Sequence, residues 1–135
     1  RLFIDTNVLL DYFLPRVPWD RDAARVFLAV QRGDAEGVVS AQALVTVHFL
    51  VRRERGRAVA DEVLRSLLGR FAVAPVSGGA LEVALASRAP DFEDGVQVAV
   101  AAAAGCTRVV TRDLDGFRGR GLPVSAPTEL AGELT

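Results

Sequence analysis

The chain has 135 residues, half of them apolar and 24% charged, so it can bury a substantial core. Its formal net charge of −1 excludes the strongly basic balance of a protein that binds nucleic acid through overall charge. The 16 basic residues are all arginine, a bias that a GC-rich genome would explain. The sequence has no repeat and no long linker, and we therefore expect one domain over residues 1–135.

Membrane insertion and secretion are not expected from the sequence. No run of 18 apolar residues free of charge occurs, which argues against a membrane span. The opening apolar run, Leu2–Ile4, is short and predicts a first strand rather than a signal peptide. The single cysteine, Cys106, cannot form an internal disulfide and fits a small buried side chain. These features together predict a cytoplasmic protein.

Short β-like runs alternate with helical patterns along the chain. The predicted strands are residues 1–4, 37–39, 71–76, 107–111 and 122–124. The predicted helices are residues 6–13, 20–32, 41–53, 56–69, 78–87, 91–104 and 128–134, with a short turn or helix at 115–117. Strands separated by helices indicate parallel crossovers, hence an α/β fold: a three-layer α/β/α sandwich with a central parallel sheet. Ligands of such sheets bind at the carboxyl ends of the strands.

Asp5 follows the first predicted strand directly. A strand buried on both faces that runs into an aspartate places the carboxylate at the rim of the sheet, where it could bind a metal ion. The other interpretation is a helix cap, since Asp5 or Thr6 could cap the helix that follows. Thr6 and Asn7 have weaker claims, as a hydroxyl donor and as a side chain that fixes the turn.

A second acidic cluster, Asp91-Phe92-Glu93-Asp94, precedes a long run of alanine and valine. Asp91 fits an N-cap, and Asp94 fits the third position of a capping box. Negative charge in a first turn also suits the helix dipole. Three acids in four positions exceed what capping needs, so we expect Asp94, one turn after Asp91, to face the crevice. Glu93 lies about 100° round the helix from Asp94 and is expected to be solvated or to lie just behind the metal ligands.

Asp113 follows the β-branched run that ends at Thr111. Turn formation is its alternative role, because aspartate readily opens turns; Asp115 has the same alternative and a weaker claim. Three acidic clusters at predicted rims favour a site for Mg²⁺ or Mn²⁺, which take oxygen ligands. Such an ion can activate a water for attack on a phosphodiester. The one histidine, His48, is interpreted as a helix residue, and no P-loop is present.

These segments resemble the PIN domain, the fold of VapC-like toxins and related ribonucleases. The similarity lies in Phe3-Ile4-Asp5-Thr6-Asn7-Val8-Leu9-Leu10-Asp11, in Asp91-Phe92-Glu93-Asp94-Gly95-Val96-Gln97 and in Val110-Thr111-Arg112-Asp113, with Phe117 following. It covers nearly the whole chain, in the expected order. The resemblance implies a single PIN-like domain and a Mg²⁺- or Mn²⁺-dependent endoribonuclease. Such proteins are often homodimers and often toxins held inactive by an antitoxin.

The resemblance assigns roles to four acids. Asp5 matches the first metal carboxylate, Asp94 the helix-borne one and Asp113 the one that closes the later strand. Asp91 matches an extra acid found in a subset of the family. We therefore expect Asp5, Asp94 and Asp113 to be catalytic, and all four to hold the metal.

One position departs from the family pattern. Family members usually carry a glutamate on the helix after the second strand, where this chain has Thr46. A neutral side chain there removes one charge and one metal ligand, which Asp91 could partly replace. The alternative function is therefore a degenerate PIN-like module that binds RNA or a partner protein without cleavage.

The predicted function is hydrolysis of RNA phosphodiester bonds, with a toxin–antitoxin pair as one biological setting. Arg112 and Arg16 are candidates for phosphate contact and equally for solvated surface. A phosphatase of the haloacid dehalogenase type also begins strand-then-Asp, but it needs a second aspartate where this chain has Asn7. Apolar helix faces around Val26–Val30 and Val59–Leu68 fit either the core or a dimer interface.

Overall fold

Five short parallel strands form a central sheet in the computed structural model, which describes the backbone of residues 1–134 and the side chains of residues 1–130. The strands are β1 (Leu2–Ile4), β2 (Gly37–Ser40), β3 (Ala72–Ala74), β4 (Arg108–Val110) and β5 (Val124–Ser125). Their order in the sheet is β3-β2-β1-β4-β5, and every neighbouring pair is parallel. The predicted α/β architecture with a central parallel sheet is confirmed.

Helices connect these strands, as parallel pairing requires. The connecting helices are α1 (Thr6–Phe13), α2 (Asp20–Arg32), α3 (Ala41–Arg55), α4 (Arg57–Arg70), α5 (Gly78–Ser87), α6 (Phe92–Ala103) and α7 (Leu114–Phe117), and α8 (Pro127–Leu134) follows β5. Ser40 and Ser77 cap α3 and α5 through their hydroxyl oxygens, as the sequence predicts. Among the described residues, no helix is both long enough and apolar enough to cross a membrane.

Alternation along the strands produces the three layers. Ile4, Val39 and Val110 pack into one apolar cluster, which includes side chains from α1 to α4. Their chain neighbours Phe3, Val38 and Val109 pack into a second cluster, with side chains of α5 and α6. Successive side chains of a strand point to opposite faces, so a strand apolar at every position is covered on both sides.

The pairing of the middle strand, β1, with β4 places Asp5 and Asp113, two of the predicted metal ligands, at the same edge of the sheet. Ile4 is in register with Val110, and the Asp5 amide donates to the Val110 carbonyl oxygen at 3.0 Å. Strand order reverses between β1 and β4, since the chain leaves β1 for β2 on one side and later places β4 on the other. This reversal marks the usual ligand crevice of a parallel sheet.

The two apolar helix faces left open by the sequence differ in burial. Val26 and Val30 are buried, so the face of α2 belongs to the core. On α4, Val63 is buried, whereas Leu68 is 56% exposed. Part of α4 therefore remains available as an interaction surface.

Candidate metal centre

Asp5 lies at the carboxyl end of β1, and its carboxylate accepts hydrogen bonds from α1 and from the segment after β4. Its Oδ1 accepts a hydrogen bond from the Thr6 amide at 2.8 Å, which caps α1. Its Oδ2 accepts from the Thr111 hydroxyl at 2.9 Å, across the gap between β1 and β4. The side chain is only 6% exposed. The two interpretations of Asp5 are thus compatible, because a capping carboxylate can also stand at the rim of the sheet.

Asp91 and Asp94 occupy the start of α6. Asp91 Oδ1 accepts from the Asp94 amide at 3.1 Å, which is the N-cap contact predicted from the sequence. Asp94 lies in the first turn and is half-buried, while Asp91 and Glu93 are exposed. Capping thus accounts for Asp91, whereas the Asp94 carboxylate accepts no hydrogen bond from any described residue.

Asp113 follows β4 and caps the short helix α7. Its Oδ1 accepts from the Gly116 amide at 3.1 Å, and its own amide donates to Thr111 Oγ1 at 3.0 Å. A Cβ atom built on Gly116 would lie 2.6 Å from Asp113 Oδ2 and 2.6 Å from Asp94 Oδ2. The two oxygens are therefore no farther apart than twice that distance. The absence of a side chain at Gly116 leaves open the space between them.

The electrostatics also indicate that these carboxylates are neighbours. Burial raises the pKa of Asp5 from 3.8 to about 6, against hydrogen bonds from Thr111 and Thr6 and with help from the charges of Glu93 and Asp113. Burial and then the charge of Asp91 raise the pKa of Asp94 to about 6, with smaller effects from Asp5, Asp113 and Glu93. Carboxylates that disfavour each other's ionisation form a site that a cation would stabilise.

The donor set fits a hard divalent cation. Asp5, Asp94 and Asp113 offer carboxylate oxygens at one rim, and Mg²⁺ and Mn²⁺ favour such ligands. Within the described residues, no group of three His, Cys, Asp or Glu side chains is already arranged as a ligand cage. The acids therefore form a rim of neighbouring carboxylates rather than a closed site, and ion binding would require them to draw together.

The sequence did not predict the roles of Thr111 and Gln97, whose side chains make hydrogen bonds next to the acidic residues. The Thr111 hydroxyl connects Asp5 to the segment that carries Asp113. Gln97, one turn after Asp94 and buried, donates through Nε2 to Thr6 Oγ1 at 3.5 Å, and its Oε1 has no hydrogen-bond partner among the described residues. A threonine at a strand end and a glutamine on an apolar helix face were the available signals.

Two basic residues have structural partners. Arg112, a candidate for phosphate contact, donates to both carboxylate oxygens of Asp11 and so is not a solvated side chain. His48 lies in α3, as the sequence predicts, and its Nε2 is 2.8 Å from Asp61 Oδ1 of α4.

Thr46 lies in the second turn of α3 and is half-buried. α3 begins directly after β2, at the same edge of the sheet as Asp5, and packs against α1. An acidic side chain at this position would add one negative charge to α3.

The family model for the PIN domain matches residues 1–115 of the sequence. The chain belongs to the PIN domain family. The matched residues include the acids of this PIN domain from Asp5 to Asp113, in the order that the resemblance implies. None of the curated proteins matches the sequence.

Solved structures similar to this PIN domain include toxins. A toxin–antitoxin complex from Klebsiella pneumoniae has a TM-score of 0.71 at 22% identity, covering 94% of this chain and 98% of that chain. VapC20 from Mycobacterium tuberculosis, described as a sarcin–ricin loop cleaving toxin, has a TM-score of 0.70 at 19% identity, with 90% and 96% covered. VapBC2 from Rickettsia felis, bound to a promoter DNA fragment, has a TM-score of 0.68 at 13% identity, with 93% and 97% covered. At these identities the likeness shows the fold of this PIN domain.

Proposed function

We propose that this PIN domain is a Mg²⁺- or Mn²⁺-dependent endoribonuclease that hydrolyses RNA phosphodiester bonds. The observation that carries the proposal is the convergence of Asp94 Oδ2 and Asp113 Oδ2 on Gly116, with the buried Asp5 near enough that its charge helps to raise the pKa of Asp94. Asp5, Asp94 and Asp113 are the proposed metal ligands and catalytic residues, and Asp91 is a further ligand. The proposal treats residues 1–135 as one PIN-like domain.

The residues of the chain have distinct parts in this reaction. A bound divalent ion would neutralise charge on the phosphate and activate a water for attack on phosphorus. Thr111 and Thr6 orient the Asp5 carboxylate by hydrogen bonds from both sides. Asp91 fixes the first turn of α6, and thereby the direction of Asp94, through its bond to the Asp94 amide. Asp113 is held by its contacts with Gly116 and Thr111.

Cleavage of structured and single-stranded RNA with Mn²⁺ tests the proposal. We expect cleavage by the wild type, its loss in EDTA, and its loss in Asp5→Asn, Asp94→Asn and Asp113→Asn. Asp61→Asn is the matched control, because Asp61 pairs with His48 on α3 and α4. Wild-type activity that survives all three site substitutions would overturn the assignment of the metal centre.

The alternative function is RNA or protein binding without cleavage. The neutral side chain of Thr46 favours it, since one carboxylate fewer weakens attraction for a cation. A wild type that binds RNA but releases no fragments at any Mn²⁺ concentration would support this alternative and overturn the nuclease proposal.

The proposed setting is a cytoplasmic toxin that acts as a homodimer and is inhibited by an antitoxin. Support comes from the toxin–antitoxin complex among the similar structures and from the exposed apolar side chains of α3 and α4, such as Phe49 and Leu68. We expect growth arrest when the chain is produced in bacteria, no arrest with Asp5→Asn, and recovery when a small neighbouring gene is co-expressed. Sedimentation of the purified chain tests the dimer.

A further inference from the structure

Arg112, the residue before Asp113, forms a partly buried ion pair with Asp11 of α1. Arg112 Nε donates to Asp11 Oδ2 at 2.6 Å, and Arg112 Nη2 donates to Asp11 Oδ1 at 3.2 Å. The side chain of Asp11 is 1% exposed and that of Arg112 is 24% exposed. Paired N–H donors on both carboxylate oxygens fix the orientation of the guanidinium as well as its position.

A tryptophan holds the same guanidinium from a different direction. The guanidinium carbon of Arg112 lies 4.0 Å from the centroid of the Trp19 ring. Trp19 immediately precedes α2, so Arg112 contacts α1 and the residue at the start of α2, two helices of the same layer. A planar arginine side chain makes a forked ion pair and an aromatic stack together, which a lysine cannot do.

These contacts act on a short segment between β4 and α7. Thr111, Arg112 and Asp113 are consecutive, and each has a defined partner: Asp5 for Thr111, Asp11 for Arg112 and Gly116 for Asp113. Asp11 itself belongs to α1, the helix that Asp5 caps. The ion pair therefore ties the helix that starts at one proposed metal ligand to the segment that carries another.

A buried ion pair need not exist for stability. Desolvation of two charges offsets much of their attraction, so such a pair is weak evidence of added stability, and the geometry that it imposes is a separate role for it. Here the geometry in question is the direction that the chain takes from the end of β4 to Asp113. The Thr111 hydroxyl donates to Asp5 and also accepts from the Asp113 amide, so one group makes both contacts. The ion pair of Arg112 adds a second contact that fixes the backbone next to Asp113.

We propose that the Asp11–Arg112 ion pair, stacked on Trp19, is a positioning device that sets Asp113 for metal binding. This inference rests on the proposed function and adds three residues that the acidic pattern did not indicate. Arg112 and Asp11 act through Asp113 and do not touch the reacting atoms.

The test is Mn²⁺ affinity of the purified full chain, measured by titration calorimetry without RNA. We expect Arg112→Met to raise the Kd for Mn²⁺ by about 10- to 100-fold, the usual effect of removing a group that orients a ligand. Arg112→Lys retains the charge without the fork, and its Kd is expected between those of the wild type and Arg112→Met. Asp61→Asn breaks an ion pair on α3 and α4 and is expected to leave the Kd unchanged. For Arg112 variants whose circular dichroism spectrum in EDTA matches that of the wild type, saturating Mn²⁺ should restore the kcat, which separates a loss of metal affinity from a folding defect.

The inference is overturned if folded Arg112→Met binds Mn²⁺ as tightly as the wild type. If Arg112→Met does not fold, Arg112→Lys decides by the same criterion. A wild type that binds no Mn²⁺ overturns the proposed function instead. In that case hydrogen exchange at the Asp113 and Gly116 amides decides the positioning role, and unchanged exchange in Arg112→Lys overturns it.

Discussion

Of the three proposed metal ligands, Asp5 is the most buried, and both of its carboxylate oxygens accept hydrogen bonds. Its pKa of about 6, against an ordinary 3.8, means that the folded state binds the proton more tightly than the unfolded state. The stabilisation linked to this proton is complete at pH values below the unfolded pKa and is lost as the pH rises through about 6. Ionised Asp5 is therefore a cost to folding at neutral pH.

Asp5→Asn removes that cost. In EDTA at pH 8 we expect the variant to unfold with a free energy up to about 3 kcal/mol above that of the wild type, and with no such gain near pH 4. Urea unfolding at the two pH values measures this difference. Asp61→Asn is expected to lower the free energy of unfolding at pH 8. The hydrogen bond from His48 lowers the pKa of Asp61, so the ionised form of Asp61 is the one that stabilises the folded state. An equal gain for Asp5→Asn at both pH values would contradict the expectation.

Gly116 contributes to the site by having no side chain. We expect Gly116→Ala to raise the Kd for Mn²⁺ by about tenfold or more, because its methyl group would displace the oxygens of Asp94 and Asp113. Gly78→Ala is the control, since nothing lies within 4 Å of a Cβ there. Calorimetry of both variants tests this, and unchanged Mn²⁺ binding by Gly116→Ala would show that the ion does not use this space.

At the scale of elements, the sequence predicts most of the fold because the signals are local. Ser40 and Ser77 start helices through their own hydroxyls, and the apolar strands read as buried on both faces. β3 was expected to reach Val76 but ends at Ala74, and the next residue is Pro75, whose missing N–H weakens strand pairing. β5 lies at Val124–Ser125 rather than residues 122–124, because its pairing with β4 fixes Val109 opposite Val124.

The acidic residues of the site could be predicted from the sequence, but the residues that orient them could not. Asp5, Asp94 and Asp113 follow recognisable strand ends or helix starts. Asp11 also carried a signal, since an acid three residues after buried Val8 needs a partner. That the partner is Arg112 could not be read, because the contact joins positions far apart in the chain and depends on how α1 packs beside β4.

The α3 helix offers a test of the missing acid. We expect Thr46→Glu to lower the Kd for Mn²⁺ by about tenfold, because an added carboxylate increases the attraction for a cation. Thr46→Gln has nearly the same shape without the charge and is expected to leave the Kd unchanged. Mn²⁺ titration of both variants separates charge from size. Equal Kd values for the glutamate and glutamine variants would place position 46 outside the reach of the metal centre.

For the whole molecule, an ion that binds the folded state stabilises it. With Mn²⁺ at about 100 times its Kd, we expect about 2.7 kcal/mol of added stability and a Tm increase of about 10 °C for a chain of this length. The increase should be smaller at pH 5, where protons compete for Asp5 and Asp94, whose pKa values are about 6. Thermal unfolding with Mn²⁺ and with EDTA at pH 5 and pH 8 measures it. Asp94→Asn should lose most of the increase, and a full increase in that variant would contradict the ligand assignment.

The place of β1 in the sheet has a consequence for synthesis of the chain. β1 is made first, yet one of its two neighbours, β4, is made only when residues 108–110 are translated. Until then one edge of the middle strand has no partner, and non-local pairing of this kind forms late. Asp113 arrives with the same segment, so a chain still being translated lacks the third carboxylate of the rim. The proposed metal centre is therefore complete only after residues 108–113 have been made.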